Sequence, residues 1–286
     1  MLKGGVNMVI TLDAGHYGKY NQSPVIKEFY ESEFNWKLTN RLAQYLRHYG
    51  ITVRLTRSNI NRDLSLFNRG FSAKGSDMFI SIHANACNNS NVDYPVVIRG
   101  YNEHETDKLA LELALSIGKI LNTRQFGRTY TRKNKNNEYY GVLRGAKSAG
   151  VKYRFIIEHS FYTNRKACYS LLDNDIIDQL ANKEAEIIAK YFGLKSKGTQ
   201  YVKVLENHLN IRSVADWKAT PCGTVNKGEV FTVIRKVKAK NGDVEMYELK
   251  SGAFITSHPK YVDTFYILFN FFNFFYGLIK LHYSSI

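Results

Sequence analysis

Short apolar segments alternate with amphipathic segments of helical period through the first 195 residues of the chain. Val9–Leu12 and Met78–His83 have the length and pattern typical of strands. Glu31–Tyr49 and His104–Leu121 repeat their apolar residues three or four positions apart, as one face of a helix does. Strands that alternate with helices predict an α/β domain over residues 1–195, with a mostly parallel sheet flanked by helices.

The pattern changes after a stretch of linker composition at residues 196–200. Residues 201–263 contain short strand-like segments separated by turn signals such as Asn241-Gly242 and Ser251-Gly252, which predicts a small all-β barrel or sandwich. Residues 264–286 form a hydrophobic tail that falls short of the roughly 20 apolar residues of a membrane-spanning helix. A packed terminal segment and a tail added by an altered reading frame both fit it, and no stable membrane span is expected.

The formal net charge of +15 predicts an anionic partner or environment: nucleic acid, acidic lipid or the phosphate-rich polymers of a bacterial wall. The chain has no recognisable reading helix and no aromatic RNA-binding motif, so we expect no nucleic-acid partner. A dense run of positive charge is typical of a solvated loop. The densest run surrounds an Asn-rich turn and contains Arg124, Arg128, Arg132, Lys133 and Lys135.

Cysteine usage and the N-terminus both bear on the compartment. Cys87, Cys168 and Cys222 are widely spaced and form no C-x-x-C pair. An odd number without paired spacing argues against a disulfide framework and favours folding in a reducing compartment. The first eight residues lack an apolar core of signal-peptide length, so we expect no signal peptide.

Four polar residues stand at the boundaries of the predicted elements. His16, His83 and Glu158 follow apolar strands, and Glu31 stands at the start of a helix. Because the carboxyl ends of parallel strands meet at one crevice of an α/β sheet, these distant residues are expected to converge. Two imidazoles and one carboxylate are a zinc-binding set that leaves one coordination position open, and an additional glutamate can act as base. The four side chains therefore predict a catalytic zinc site.

The identity of the carboxylate ligand stays open at this point. The charge of Glu31 also suits the unpaired amides of a helix N-terminus, and Glu28 or Glu33 can replace it as a ligand. Neither His-Glu-x-x-His nor paired Cys-x-x-Cys occurs in the sequence. The predicted site is therefore neither a helix-borne metalloprotease site nor a zinc finger.

Two neighbours of these residues have predicted roles of their own. Asp13 precedes His16 by three positions and is a candidate to orient its ring. His159 follows Glu158 directly, so strand alternation should point it to the opposite face, away from the site.

Seven short motifs together resemble the zinc-dependent N-acetylmuramoyl-L-alanine amidases of the family often called amidase type 3. They occur in the family's order and cover roughly residues 8–194, and as a set they are specific. The motifs are Leu12-Asp13-Ala14-Gly15-His16, Glu31-Ser32-Glu33-Phe34-Asn35, Leu55-Thr56-Arg57, Asn68-Arg69, Ser81-Ile82-His83-Ala84-Asn85, Tyr140-Gly141-Val142-Leu143-Arg144 and Ile157-Glu158-His159-Ser160-Phe161-Tyr162-Thr163-Asn164.

The resemblance implies zinc on His16, Glu31 and His83, with Glu158 as the catalytic carboxylate. It favours Glu31 over Glu28 because the family's glutamate usually stands four residues before an asparagine. It also implies hydrolysis of the amide between the lactyl group of N-acetylmuramic acid and L-alanine. The family's usual pair of glycines after the first histidine is Tyr17-Gly18 here, and the loop up to Tyr30 is also unlike the common pattern. A loop cation, Arg144, is a candidate to bind substrate.

Residues 201–263 resemble a bacterial SH3-like domain, a class that usually binds peptidoglycan. The resemblance implies bacterial peptidoglycan as partner, with anionic wall polymers as a second partner suggested by the charge. A two-domain wall hydrolase without a signal peptide is expected to be a phage or prophage endolysin, held in the cytoplasm until the membrane is breached. A host autolysin and a catalytically inactive wall-binding protein are the alternatives. The motifs are His208-Leu209-Asn210-Ile211-Arg212-Ser213, Lys227-Gly228-Glu229-Val230-Phe231 and Lys260-Tyr261-Val262.

Overall fold

The computed structural model describes residues 8–135, 137–195 and 198–267. The chain divides into two compact units, with the boundary after residue 196. Within the described residues no helix is long and apolar enough to cross a membrane. All three cysteines are free thiols.

The first unit is built on a six-stranded sheet of order β2-β1-β3-β8-β4-β5. The strands β4 and β8 pair antiparallel, and the other four described pairings of this sheet are parallel. The prediction of an α/β domain with a mostly parallel sheet is confirmed, and the single antiparallel pairing makes the sheet mixed. The strands of this unit are β1 Val9–Ala14, β2 Thr52–Leu55, β3 Met78–Asn85, β4 Val96–Arg99, β5 Arg128–Thr131, β6 Lys133–Asn134, β7 Asn137–Glu138 and β8 Tyr153–Phe161.

Helices cover both faces of this sheet. Their bounds are α1 Glu31–His48, α2 Leu66–Phe71, α3 Asp107–Leu121, α4 Gly141–Ser148, α5 Arg165–Leu172 and α6 Asn174–Tyr191. A large core under α1, α3 and α6 contains Ile80, Ile82 and Ile157. A smaller core under α4 contains Phe79 and Ile156, their neighbours in the strands. Strand alternation thus directs Ser81, His83 and Glu158 to the face of the smaller core.

The helices α2 and α4 meet backbone to backbone. A Cβ atom on Gly70 would lie 1.9 Å from the carbonyl oxygen of Val142, and one on Gly145 would lie 2.0 Å from that of Phe67. No larger residue fits at either glycine without moving a helix, so this contact fixes the position of α2 beside the sheet.

The second unit consists of strands and turns over residues 198–267. Its five-stranded antiparallel sheet has the order β14-β13-β12-β9-β15, and β10 pairs with β11. The core of this unit is mainly aliphatic and includes Val202, Val233 and Ile255. The strands are β9 Thr199–Val204, β10 Leu209–Ile211, β11 Gly223–Val225, β12 Val230–Val237, β13 Met246–Leu249, β14 Phe254–Thr256 and β15 Val262–Ile267.

The ends of this unit overlap the predicted linker and tail. The strand β9 begins inside the predicted linker 196–200, and β15 includes residues 264–267 of the predicted hydrophobic tail. The rest of that tail, residues 268–286, lies outside the described residues.

Candidate metal centre

The two histidines are brought together by a close approach of β1 and β3. The rings of His16 and His83 have centroids 5.1 Å apart and are nearly perpendicular. A Cβ atom on Gly15 would lie 2.2 Å from Cε1 of His83, so only glycine leaves room for that ring. His16 follows with a positive φ of 59°, which turns the chain out of the sheet.

Glu31, at the first position of α1, bridges the two imidazoles. Its Oε2 lies 3.1 Å from Nε2 of His16, and its Oε1 lies 2.9 Å from Nδ1 of His83. One ligand atom from each of the three residues falls within 4.8 Å of the others. Among the described residues these three form the cluster that can hold a metal ion, and neither Glu28 nor Glu33 belongs to it.

The electrostatics of the cluster follow from this contact. Burial raises the pKa of Glu31, but hydrogen bonds to the two histidines outweigh it and hold that pKa well below its usual range. Burial likewise lowers the pKa of His83, while its hydrogen bond and charge interaction with Glu31 raise it overall to about 9. Glu31 is thus ionised throughout the neutral range, as a metal-binding carboxylate must be.

Asn21 is a member of the site that the sequence analysis missed. Its Nδ2 donates to Oε2 of Glu31 at 2.6 Å and lies 3.2 Å from Nε2 of His16. Its backbone has a positive φ of 55°. An asparagine in an irregular loop carries no periodic signal. The one sequence feature that could have indicated Asn21 is the departure of the Tyr17–Tyr30 loop from the family pattern.

Glu31 also accepts hydrogen bonds from two other parts of the first unit. The backbone N–H of Ala84 donates to its Oε1 at 3.2 Å, and Nδ2 of Asn35 donates to the same atom at 3.4 Å. Asn35 additionally donates to the carbonyl oxygen of Gly15 at 3.1 Å. The carboxylate is therefore oriented by hydrogen bonds from β3 and from its own helix.

Asp13 does not contact His16, contrary to the expectation that it orients that ring. Its register partner in β3 is Ser81, whose hydroxyl donates to Asp13 Oδ2 at 2.7 Å and lies 3.1 Å from Nε2 of His83. Asp13 is fully buried and also accepts from Nη1 of Arg69 at 3.1 Å. It therefore acts on His83 through Ser81, because register rather than closeness in sequence decides its neighbour.

The fourth predicted residue, Glu158, lies beside His83 in the sheet. The two are register partners in β8 and β3. Its Oε2 is buried and has no hydrogen-bond partner among the described residues. Burial raises the pKa of Glu158 to about 7, with Glu31 adding to the effect and His83 opposing it. A carboxyl group in this condition can accept or give a proton near neutral pH.

The structure places the other two candidates away from the metal cluster. His159 faces the larger core, as strand alternation predicts, with Nδ1 3.0 Å from the carbonyl oxygen of His83 and Nε2 2.9 Å from Oε1 of Glu184. Nη1 of Arg144 donates to the carbonyl oxygens of Glu138 and Tyr139 at 3.2 and 2.5 Å. In the described residues Arg144 thus supports a backbone segment and makes no contact with the histidines.

The metal cluster opens into a cleft of about 420 Å³, a size suited to a small ligand or a segment of polymer. The exposed ring of Tyr20 stacks on His16 with centroids 5.1 Å apart, and that of Tyr17 stacks on Tyr20 at 6.0 Å. Leu66 of α2 lines the same cleft and is 63% exposed. The two histidines of the metal cluster thus face a cleft with an accessible aromatic rim, and Glu158 lies beside His83 in the sheet.

Comparisons with known proteins identify relatives of the chain. A family model described as N-acetylmuramoyl-L-alanine amidase matches residues 10–190. An endolysin of Bacillus phage SPP1 is 27% identical over 282 residues, which are 90% of this chain and 98% of that protein.

Solved amidase structures share the fold of the first unit. The catalytic domain of CwlV from Bacillus (Paenibacillus) polymyxa var. colistinus aligns with a TM-score of 0.56 at 22% identity, over 66% of this chain and 99% of that domain. AmiC2 of Nostoc punctiforme aligns with the same TM-score at 24% identity, over 66% and 99% of the two chains.

Proposed function

Because this chain belongs to the N-acetylmuramoyl-L-alanine amidase family and is a peptidoglycan amidase, we propose that it works through a zinc ion on His16, Glu31 and His83. The donor set fits zinc, which takes imidazole nitrogen and carboxylate oxygen and, in catalytic sites, three protein ligands. When bound, zinc supplies Lewis acidity to the scissile carbonyl and to the attacking water.

Glu158 is the proposed general base and acid. The observation that carries this role is its buried Oε2, which has no hydrogen-bond partner among the described residues; Glu158 is in register with His83 on the same face of the sheet. The carboxylate accepts a proton from the attacking water and returns it to the nitrogen of the leaving L-alanine. The other residues hold the geometry: Asn21 and Asn35 orient Glu31, and Ser81 orients His83.

Digestion of purified walls tests the reaction. We expect mass spectrometry to find glycan strands freed of intact stem peptides, with new amino groups at L-alanine. A chelator should abolish release and added zinc should restore it. Glu158→Gln should lose about 10²–10⁴-fold in activity while still binding one zinc. New reducing sugar ends, cuts between stem amino acids, or chelator-resistant activity would contradict the proposal.

We further propose that the two domains have the separate functions expected from the sequence. Residues 1–195 form the catalytic domain, 196–200 a linker and 201–263 an SH3-like domain that binds the wall, with β9 and β15 extending that domain to residues 199 and 267. The separate aliphatic core and antiparallel sheet of the second unit support it, as does the phage relative, whose match covers 90% of this chain. Full-length Glu158→Gln bound to wall fragments should gain hydrogen-exchange protection within residues 201–263. Protection confined to the first unit would count against a wall-binding role.

The phage relative favours an endolysin over a host autolysin, the alternative role. An endolysin accumulates in the bacterial cytoplasm and reaches the wall once the membrane is breached. Expression in a bacterial cytoplasm should therefore leave cells intact until a membrane-permeabilising agent is added, and then lyse them. Lysis without that agent would argue for another route of export.

A further inference from the structure

Four register partners, one in each of four neighbouring strands, form a row across the first unit's sheet that starts at His83 of the metal cluster. His83 pairs with Glu158, Glu158 with Val96, and Val96 with Arg128. Paired residues of neighbouring strands project to the same face. Arg128 therefore lies on the same face as Glu158, two strand spacings or about 10 Å away.

Arg128 belongs to a group of five exposed cations that we call the cationic edge: Arg124, Arg128, Arg132, Lys133 and Lys135. These residues lie in β5 and in the segments on either side of it, and β5 is an edge strand of the sheet. Among the described residues, no carboxylate forms an ion pair with a side-chain nitrogen of these five, whereas Arg99, Arg154 and Lys152 nearby are paired. The cationic edge therefore offers uncompensated positive charge.

Aromatic rings hold two of these arginines in place. Cζ of Arg128 lies 4.4 Å from the ring centroid of Tyr94, and Cζ of Arg132 lies 3.7 Å from that of Tyr139. Stacking covers one face of a guanidinium and leaves its N–H edges free to bind an anion in the plane. Both side chains are thus partly ordered before any ligand arrives.

Tyr130 links this edge to the reaction centre. It stands two residues after Arg128 on the same face of β5, and its hydroxyl is 3.2 Å from that of Tyr140. Tyr130 pairs with Ile98, and Ile98 pairs with Ile156, which stands two residues before Glu158 on the same face of the sheet. Burial, the contact with Tyr140 and the charge of Glu158 raise the pKa of Tyr130. The cationic edge therefore lies on the same face as Glu158, with β4 between them.

We propose that Arg128 and Arg132 form a subsite for a carboxylate of the stem peptide, an inference that rests on the proposed amidase function. The glycan of peptidoglycan is uncharged, whereas the stem carries carboxylates. Ten ångströms spans about three residues of extended peptide, so a stem cut beside Glu158 reaches Arg128 near its second or third residue. Arginine binds a carboxylate through two parallel N–H bonds, which suits recognition of that group.

Two muropeptides that differ in one group test this subsite: one with a free α-carboxylate on the second stem residue and one with that carboxylate amidated. Equilibrium binding is measured in the inactive Glu158→Gln protein, so cleavage is not required. We expect about tenfold tighter binding of the acid, and loss of that preference in Arg128→Gln/Arg132→Gln. In the active enzyme the same pair of changes should raise KM for the acid and leave kcat nearly unchanged.

Lys108→Gln/Lys119→Gln is the matched control, since it removes two exposed charges from α3 on the other face of the sheet. It should keep the preference. Equal binding of acid and amide, or a preference that survives in Arg128→Gln/Arg132→Gln, overturns the proposal. If Arg128→Gln/Arg132→Gln loses affinity only for walls that bear teichoic acid, the cationic edge binds that polymer and the proposal is wrong. Failure of the amidase function itself is a separate result, seen as no stem release by the wild-type enzyme.

Discussion

The carboxamide of Asn21 donates to Oε2 of Glu31 over 2.6 Å, and the same nitrogen lies 3.2 Å from Nε2 of His16. Asn21 therefore contacts two of the three residues that can hold the metal. It reaches them from a loop that is itself hydrogen-bonded to α1, since the N–H of Glu31 donates to the Asn21 carbonyl at 3.0 Å. The carboxamide is positioned to orient a metal-binding carboxylate.

Asn21→Ala should weaken zinc binding by about tenfold, because groups that orient a metal ligand typically contribute 10- to 100-fold to affinity. Competition with a chelating dye measures the dissociation constant. The neighbouring Gln22→Ala is the control, since the Gln22 side chain donates to the Lys27 carbonyl and not to the cluster. An unchanged affinity in Asn21→Ala would show that Asn21 has no positioning role.

Glu158→Gln should lower the turnover rate by about 10²–10⁴-fold while zinc stoichiometry stays at one, because the amide cannot exchange the proton. The stability of the variant should not fall, since Oε2 of Glu158 has no hydrogen-bond partner to lose among the described residues. Turnover, bound zinc and denaturant unfolding are measured on the same sample. Turnover within a few-fold of wild type would remove Glu158 from the mechanism.

Gly15→Ala should displace the His83 ring, since the new methyl carbon would lie 2.2 Å from its Cε1 atom. We expect zinc affinity and activity to fall together, by about tenfold or more. Gly223→Ala is a control in the second unit, where the nearest atoms to a new Cβ are 3.6 Å away. Wild-type zinc affinity in Gly15→Ala would mean that the two histidines need not approach as closely as described.

Glu184→Ala should lower the free energy of unfolding by about 2 kcal/mol, because it leaves the buried Nε2 of His159 without its partner at 2.9 Å. Glu184→Gln retains an oxygen acceptor and should cost less. Denaturant unfolding followed by tryptophan fluorescence measures both. Equal stability of the alanine variant and wild type would imply that water or another side chain satisfies His159.

His48 should make the first unit less stable in mild acid. Its Nε2 is buried and has no hydrogen-bond partner among the described residues, and its ring packs edge-on against Tyr45. Burial lowers the pKa of His48. The unfolded chain therefore takes up this proton first as pH falls below about 7, so the free energy of unfolding decreases. His48→Gln should show a smaller decrease between pH 7 and 5. Parallel stability curves for the two proteins would contradict this.

Periodicity and residue type were sufficient to predict the α/β fold and the convergence of His16, His83 and Glu158 with a carboxylate at the start of the first helix. The choice of Glu31 over Glu28 came from the family resemblance. The structure brings His16, Glu31 and His83 within ligand distance and sets Glu158 beside His83. Alternation along β8 also predicted the face of His159. These are consequences of local geometry, which the sequence expresses directly.

The remaining features depend on tertiary placement. The strand β4 runs antiparallel to β8 because residues 86–95, which lead into it, contain no crossover helix, and a parallel return needs one. Asp13 contacts Ser81 rather than His16 because of the β1–β3 register. Asn21 lies in an irregular loop, where no helical or strand periodicity predicts the direction of its side chain.

The glycine contact between α2 and α4 limits how this enzyme can be redesigned. At Gly70 and Gly145 each helix rests on the backbone of the other, so substituting side chains cannot change the helix spacing at these two points. Laboratory evolution toward new wall chemistries would then have to proceed through outward-facing substitutions such as those at Leu66, and screening libraries should be concentrated there.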